Sequence, residues 1–219
     1  MDRPHEQTWP PWIAQQLVRR GIHDPRVLRA FAEVPRSDFV GDAERAQALV
    51  DSPLPIDCNQ TVSQPYVIAL SLQALRLKDT ERVLDVGTGS GFQAVLLSHL
   101  AREVFSVEVH MRLFTHARLA IERRARAPVH TRHANGALGW PEAAPFDAIV
   151  AGCFAQEPPP ALLHQLAPGG RMVIPLGNSQ SQTLILLEKL PDGSFKRGAL
   201  EQVIFVPMLG VKGSSSALG

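Results

Sequence analysis

Arg82-Val-Leu-Asp-Val-Gly-Thr-Gly-Ser-Gly91 is the stretch that decides the fold. Val83, Leu84 and Val86 form a short apolar run, β-branched at two of three positions, with charge before it and glycine after it. That pattern predicts a buried strand. Gly87, Gly89 and Gly91 alternate, so the backbone can turn sharply and approach a ligand with no Cβ in the way. Phe92-Gln-Ala-Val-Leu-Leu97 then opens a helix whose first N–H groups face the same space. A strand, a glycine-rich turn and a helix in this order bind a nucleotide-like cofactor.

The spacing narrows the cofactor. A dinucleotide fingerprint requires G-x-G-x-x-G, whereas Gly87, Gly89 and Gly91 give G-x-G-x-G with Asp85 just before it. A carboxylate at that place would repel a pyrophosphate. It suits a cofactor that carries positive charge and no phosphate, as S-adenosyl-L-methionine does. Glu108 ends the next apolar run, Val104-Phe-Ser-Val107, about 20 residues on, where a parallel sheet puts the acid that accepts hydrogen bonds from ribose hydroxyls.

The bulk composition excludes several classes. With 219 residues, 45% hydrophobic and 20% charged, the chain has the make-up of one soluble domain with a sizeable core. A formal net charge of +1 gives no electrostatic case for nucleic acid or an anionic membrane. No apolar run approaches the ~20 residues that span a bilayer, and Met1-Asp-Arg-Pro-His-Glu-Gln7 lacks the apolar core of a signal peptide. Two cysteines, Cys58 and Cys153, make no disulfide framework, so the expected compartment is the reducing cytoplasm; a monomer is the expected state.

Along the chain, Trp9 to Val40 reads as helical. Ile13, Leu17 and Val18 share a face, Gly21 ends the first segment, and Asp24-Pro25 caps a second. Three prolines and a polar centre make a regular helix or a central strand improbable from Asp51 to Pro65, where Gln60, Thr61, Ser63 and Gln64 offer neutral hydrogen-bonding groups. Tyr66 to Leu77 reads as a helix and Leu113 to Arg126 as a basic amphipathic one. Val129 to His133, Phe146 to Ala151 and Arg171 to Pro175 read as strands, with a short helix from Pro160 to Leu166. Around Asp192-Gly193, Leu184 to Leu190 and Gln202 to Met208 read as two late antiparallel strands.

Strands that alternate with helices and end in a hairpin predict an α/β fold: a Rossmann-like, doubly wound, mostly parallel sheet with an antiparallel C-terminal hairpin and an N-terminal helical extension. The expected organisation is a single domain over 1–210, with a helical extension at 1–50, a substrate-side loop at 51–65 and a cofactor-binding αβ core at 80–210, followed by a flexible tail at 211–219. Ligands bind such sheets at the carboxyl ends of the strands, so the glycine loop, Glu108, Asn135-Gly136 and the segment after Val150 should converge on one crevice.

With these residues in view, the chain resembles the protein-L-isoaspartate (D-aspartate) O-methyltransferases from about Gln16 to Met208. The resemblance rests on Arg19-Arg-Gly-Ile22, Val34-Pro-Arg36 with Phe39-Val40, Leu54-Pro-Ile56, Gln60-Thr-Val-Ser-Gln-Pro65, the glycine loop, Gly139-Trp-Pro-Glu142 with Pro145-Phe-Asp147, Pro168-Gly-Gly-Arg171 and Phe205-Val-Pro207. It implies methyl transfer from S-adenosyl-L-methionine to a carboxylate of an isoaspartyl residue in damaged proteins or peptides, after which the ester collapses to a succinimide. Ser63 would be the active-site serine, orienting the acceptor rather than attacking it. Gln60, Thr61, Val62, Val206 and Pro207 would contact substrate. Asp85, Gly87, Gly89, Gly91, Glu108, Val109, Asn135 and Gly136 would contact cofactor.

Three departures from that family's pattern carry consequences. Asn59 stands where the family has glycine, and Asn is the next-best residue at positive φ. Asn135 replaces an aspartate, and its side-chain oxygen can still accept from an adenine amino group. Ala151-Gly-Cys-Phe-Ala155 interrupts a run of small residues, and Phe154 at a strand end would either reshape the acceptor pocket or turn into the core. A pocket reshaped in this way favours another carboxylate as acceptor, such as an aspartate of one dedicated peptide. A binding protein without activity is the third reading, against which Asp85, Glu108 and Ser63 stand. His130 and His133 form an H-x-x-H with no third ligand, so no metal is expected.

Overall fold

The structure is a computed structural model that describes residues 9–210; the tail expected at 211–219 lies outside the described residues. Asp24 starts the second N-terminal helix as read, its Oδ1 accepting from the Arg26 and Val27 amides at 2.8 and 3.4 Å. Helices α1 (Pro11–Gln16) and α2 (Pro25–Glu33) are joined by a 3-10 turn that ends on Gly21 at φ 94°. Next come β1 (Leu54–Ile56), β2 (Gln60–Val62) and α3 (Pro65–Leu75). The core unit is β3 (Arg82–Val86), α4 (Phe92–Ser98), β4 (Glu103–Glu108), α5 (Met111–Arg124) and β5 (Val129–His133). It continues through β6 (Phe146–Ala151), α6 (Pro160–Gln165), β7 (Leu166–Gly177), β8 (Gln182–Lys189) and β9 (Phe195–Val203).

Among the described residues, seven strands form one sheet in the order β5-β4-β3-β6-β7-β8-β9. The strands from β5 to β7 run parallel, and β8 is antiparallel to both β7 and β9. The chain winds from β3 outward to β5, then returns to the other side of β3 as β6. The switch point therefore lies between β3 and β6, where an open parallel sheet leaves a crevice. Alternation along the central strands feeds two cores: Val83, Val104, Ala148 and Val150 face α1–α5, while Leu84, Val86, Phe105 and Ile149 face the other layer. The N-terminal helices belong to the first core, with Phe31 and Phe39 against Phe92 at ring-centroid distances of 5.8 and 5.3 Å. No described helix is long and apolar enough to cross a membrane.

Two segments depart from the sequence reading. The last strand is Phe195–Val203, not Gln202 to Met208. An edge strand needs no apolar face toward a second layer and is protected by charge, so Lys196 and Arg197 hid it from a reading based on hydrophobic runs. The apolar run after Val203 instead lies beside the end of β6, with Phe154 N donating to Val206 O at 2.9 Å and Met208 N to Phe154 O at 2.7 Å. The proline-rich stretch is more regular than expected, because β1 and β2 pair as a separate antiparallel ribbon, Leu54 opposite Val62. Cys58 and Asn59 make its turn at φ 59° and 54°, so asparagine does sustain the positive φ there.

Gly91 caps α4 at φ 89°, and a Cβ on it would lie 3.1 Å from Ile121 Cγ1 and 3.3 Å from the Ala117 carbonyl. Backbone strain and the clash with α5 act together. Gly91→Ala is expected to lower stability by about 1–3 kcal/mol in urea unfolding; an unchanged midpoint would show that α5 gives way freely.

Candidate active site

At the carboxyl ends of β3, β4 and β6 lies a crevice whose open space, mouth included, is about 550 Å³. Gly87 and Gly89 form its floor at φ 89° and 54°. A Cβ on Gly87 would come 3.7 Å from Cys153 Sγ, and one on Gly89 3.7 Å from Ile56 Cδ1. Side chains at these two positions would fill the space a ligand needs. Glu108 forms one wall and is 4% exposed. Its Oε2 accepts from Gly89 N at 2.8 Å, and its Oε1 from Val109 N and His110 N, each at 2.9 Å. One carboxylate therefore fixes both the glycine loop and the turn after β4, with one lone-pair site, on Oε2, left over for a hydroxyl donor. Gln60, Thr61, Val109, Gly136, Val206 and Pro207 complete the expected part of the lining.

A second cavity, of about 940 Å³, shares Thr61, Gly152 and Val206 with the first and carries Ser63 and Gln64. None of its lining side chains is ionisable. Ser63 sits where β2 gives way to α3, and Arg36 Nη2 donates to its carbonyl at 3.0 Å.

Four expected contact residues line neither cavity. Val62 is turned into the core, 5% exposed, because the ribbon's alternation takes it away from Thr61. Gly91 is used for helix packing, as described above. Asn135 caps a 3-10 turn, its Oδ1 accepting from Ala137 N at 2.9 Å, and its side chain lies against Gly210. Asp85 lies wholly beneath the loop: Gln93 Nε2 donates to its Oδ1 at 2.8 Å and Ser106 Oγ to its Oδ2 at 2.7 Å. Thr88 Oγ1 and Ser106 Oγ are 2.6 Å apart, which ties the loop to the same network. Asp85 thus supports the glycine turn from below instead of presenting a charge to the crevice.

Burial pushes the Asp85 carboxyl up to about 6, against the lowering effect of the Gln93 and Ser106 hydrogen bonds. The folded-state value lies above the ordinary 3.8, so this group's contribution to stability is fully present below about pH 4 and is lost as pH rises to about 6. Asp85→Asn keeps the shape without the titration. It should match the parent near pH 4 and exceed it above pH 6.5 by on the order of 3 kcal/mol. Urea unfolding at the two pH values measures the difference, and an equal offset at both would refute a raised carboxyl.

Sequence reasoning brought the segment after Val150 to the crevice but named none of its residues as contacts. Cys153 lines the crevice beside Gly87, while Phe154 lines neither cavity. Burial raises the Cys153 thiol far above its ordinary value, with the Glu108 and Asp85 charges adding to it, so it stays protonated. Gly152 lets the ends of β6 and β3 approach: its N donates to Val86 O at 2.8 Å, and a Cβ on it would be 3.3 Å from the Gly87 carbonyl. Arg36 stands behind the ribbon with its guanidinium buried. Among the described residues no three potential ligands gather as a metal site. His130 Nε2 bonds Glu103 Oε1 at 2.8 Å, and His133 Nε2 donates to Val109 O at 2.8 Å.

Comparison with known proteins agrees with this geometry. Residues 12–213 match the family described as protein-L-isoaspartate(D-aspartate) O-methyltransferase. A protein-L-isoaspartate O-methyltransferase 2 of Marinobacter nauticus is 49% identical over 90% of this chain and 91% of its own length. A protein-L-isoaspartate O-methyltransferase of Anaeromyxobacter dehalogenans is 50% identical over 90% and 95%. A solved Plasmodium falciparum chain, described as a protein-L-isoaspartate O-methyltransferase in complex with S-adenosyl-L-homocysteine, superposes with a TM-score of 0.78 at 26% identity, covering 92% of this chain and 99% of that one. The fold, the crevice at the switch point and these matches agree: the chain belongs to the protein-L-isoaspartate(D-aspartate) O-methyltransferase family.

Proposed function

We propose that the chain methylates the free carboxylate of L-isoaspartyl residues in damaged proteins and peptides, with S-adenosyl-L-methionine as donor. The observation that carries this reading is the wall common to the two cavities, Thr61, Gly152 and Val206, with the glycine loop on one side and Ser63 on the other. When bound, the cofactor supplies an electrophilic methyl on a sulfonium that is its own leaving group. Glu108 would hold a ribose hydroxyl through its remaining acceptor site, and Gly87 and Gly89 leave the room the cofactor needs. Gly136 and Val109 complete that wall.

The protein's remaining task is positioning. A carboxylate of pKa near ~4 is already the nucleophile at neutral pH and needs no general base. Placing oxygen, methyl carbon and sulfur in line can be worth about 7–11 kcal/mol. Thr61 and Ser63 hydroxyls can orient the acceptor oxygen without pairing it to a cation, which the second cavity does not contain. Another carboxylate as the acceptor was suggested by Phe154. With that residue outside both cavities, nothing favours it. The two cysteines are free, as a reducing compartment would keep them.

Labelled methyl transfer to an isoaspartyl peptide and to its aspartyl twin tests the assignment. Turnover of the first alone is expected, and turnover of the second alone would overturn it. Ser63→Ala should lower kcat/KM by about 10–100-fold, the loss of one or two orienting hydrogen bonds, and leave affinity for S-adenosyl-L-homocysteine unchanged. A comparable loss of cofactor affinity would remove Ser63 from the acceptor side.

A further inference from the structure

At the opposite pole of the sheet, where the parallel strands begin, lies an open cavity of about 970 Å³, mouth included, that the proposed reaction does not use. Its walls come from α2, the loop before β3, the end of α4, the α4–β4 loop and the α5–β5 loop. Four guanidinium groups line it, those of Arg26, Arg29, Arg102 and Arg126, against two carboxylates, Glu33 and Asp79. In a chain whose formal net charge is +1, this is a local concentration of positive charge.

The pairing within the cavity is uneven. Arg26 is committed, with Nη1 donating to Leu77 O, Nη2 to Leu100 O at 2.8 Å and an ion pair to Asp79. It satisfies carbonyls at the end of α4, the ordinary duty of a basic residue near a helix C-terminus. Glu33 Oε2 lies 3.3 Å from His99 Nδ1. That nitrogen is buried and faces the Glu33 carboxylate, so it is not open to the cavity. Arg29, Arg102 and Arg126 have no carboxylate at salt-bridge distance among the described residues: of the two acids of the cavity, Asp79 pairs with Arg26 and Glu33 faces the His99 ring. Arginines left over around a concave space form a receptor for a planar or tetrahedral oxyanion, which guanidinium binds in bidentate fashion.

We infer that this cavity binds a small, multiply charged phosphate-bearing anion, independently of the methyl-transfer site. Several phosphoryl oxygens are needed to engage Arg29, Arg102 and Arg126 together, and a concave space encloses a compact ligand, whereas a long polyanion would need an extended stripe of charge. The inference does not depend on the proposed acceptor, because the two sites lie at opposite ends of the strands.

The test is calorimetric titration of the full-length chain with inorganic pyrophosphate at fixed ionic strength, with sodium chloride as the blank. Saturable one-to-one binding is expected. Arg102→Gln with Arg126→Gln should weaken it at least tenfold, leaving the melting temperature and the affinity for S-adenosyl-L-homocysteine where they were. These side chains are exposed at the cavity rim, so the double variant should fold. Absence of saturable binding, or binding indifferent to the double substitution, would overturn the assignment. Binding of a twelve-nucleotide single-stranded RNA that is tighter than pyrophosphate and strengthens with length would overturn it in favour of a nucleic-acid surface.

Discussion

Arg36→Met is expected to lower stability by about 3–5 kcal/mol and to abolish most methyl transfer, although Arg36 lines neither cavity of the proposed site. The guanidinium is 3% exposed and gathers five backbone carbonyls. Nη1 donates to Ala48 and Val50 at 3.3 and 3.2 Å; Nη2 donates to Ser52, Val62 and Ser63 at 2.8, 3.3 and 3.0 Å. These carbonyls span both approaches to the β1–β2 ribbon, so one side chain closes the loop that carries Thr61 and Ser63. Burial lowers the group to about 10, partly offset by the Asp51 carboxylate, and it stays charged at neutral pH. Methionine fills the volume but donates nothing, and each buried carbonyl stranded costs about 1–3 kcal/mol. The 3.3 Å bonds and the half-buried carbonyls contribute least, hence the range given. Lysine restores the charge but not the fork, so Arg36→Lys should recover less than half of the loss. Urea unfolding with a parallel methyl-transfer assay measures both effects. A loss under 1 kcal/mol would show that the loop closes without its anchor, and that Asp51, which accepts from Gln64 Nε2 at 2.6 Å and Tyr66 N at 2.8 Å, suffices.

Arg36 also shows where reading a sequence stops. The glycine loop, the strands that feed it and Glu108 were legible because their signals are local: a run of buried residues, a turn that needs positive φ, an acid at a strand end. β5 and β6 have the bounds read from the sequence. Arg36 carries no such signal, because its partners lie 12 to 27 residues away and are main-chain atoms, to which the sequence is blind. Asp85 failed for a related reason. Its place in the sequence is that of a cofactor contact, but the donors that define its surroundings, Gln93 and Ser106, come from a helix and a neighbouring strand. β9 was misplaced because an edge strand is defined by the partner it pairs with and not by the face it buries. Phe154 raised a question that backbone register answered: Cys153 faces the crevice, and the Phe154 amide and carbonyl engage Val206 and Met208.

Glu108→Gln is expected to weaken binding of S-adenosyl-L-homocysteine by at least 100-fold, in a protein that still folds. Three backbone donors converge on the carboxylate, two on Oε1 and one on Oε2. An amide has one acceptor oxygen. Whichever way it turns, its NH2 points either at Gly89 N or at the Val109 and His110 amides. The glycine loop or the turn after β4 must then move, and both line the crevice. A hydrogen bond to a charged group contributes about 1.5–3 kcal/mol, so one displaced loop contact and one weakened ribose contact amount to about 3 kcal/mol or more. At 1.4 kcal/mol per tenfold, that is two orders of magnitude in affinity. The loss should appear in the dissociation constant and hardly in the melting temperature of the ligand-free protein, because removing a buried charge offsets much of what the three amides lose. Titration calorimetry and a thermal melt on the same preparation separate the two quantities. If the ligand-free protein loses as much stability as the complex loses affinity, Glu108 is a loop clamp alone, and the ribose hydroxyls must be held elsewhere in the crevice.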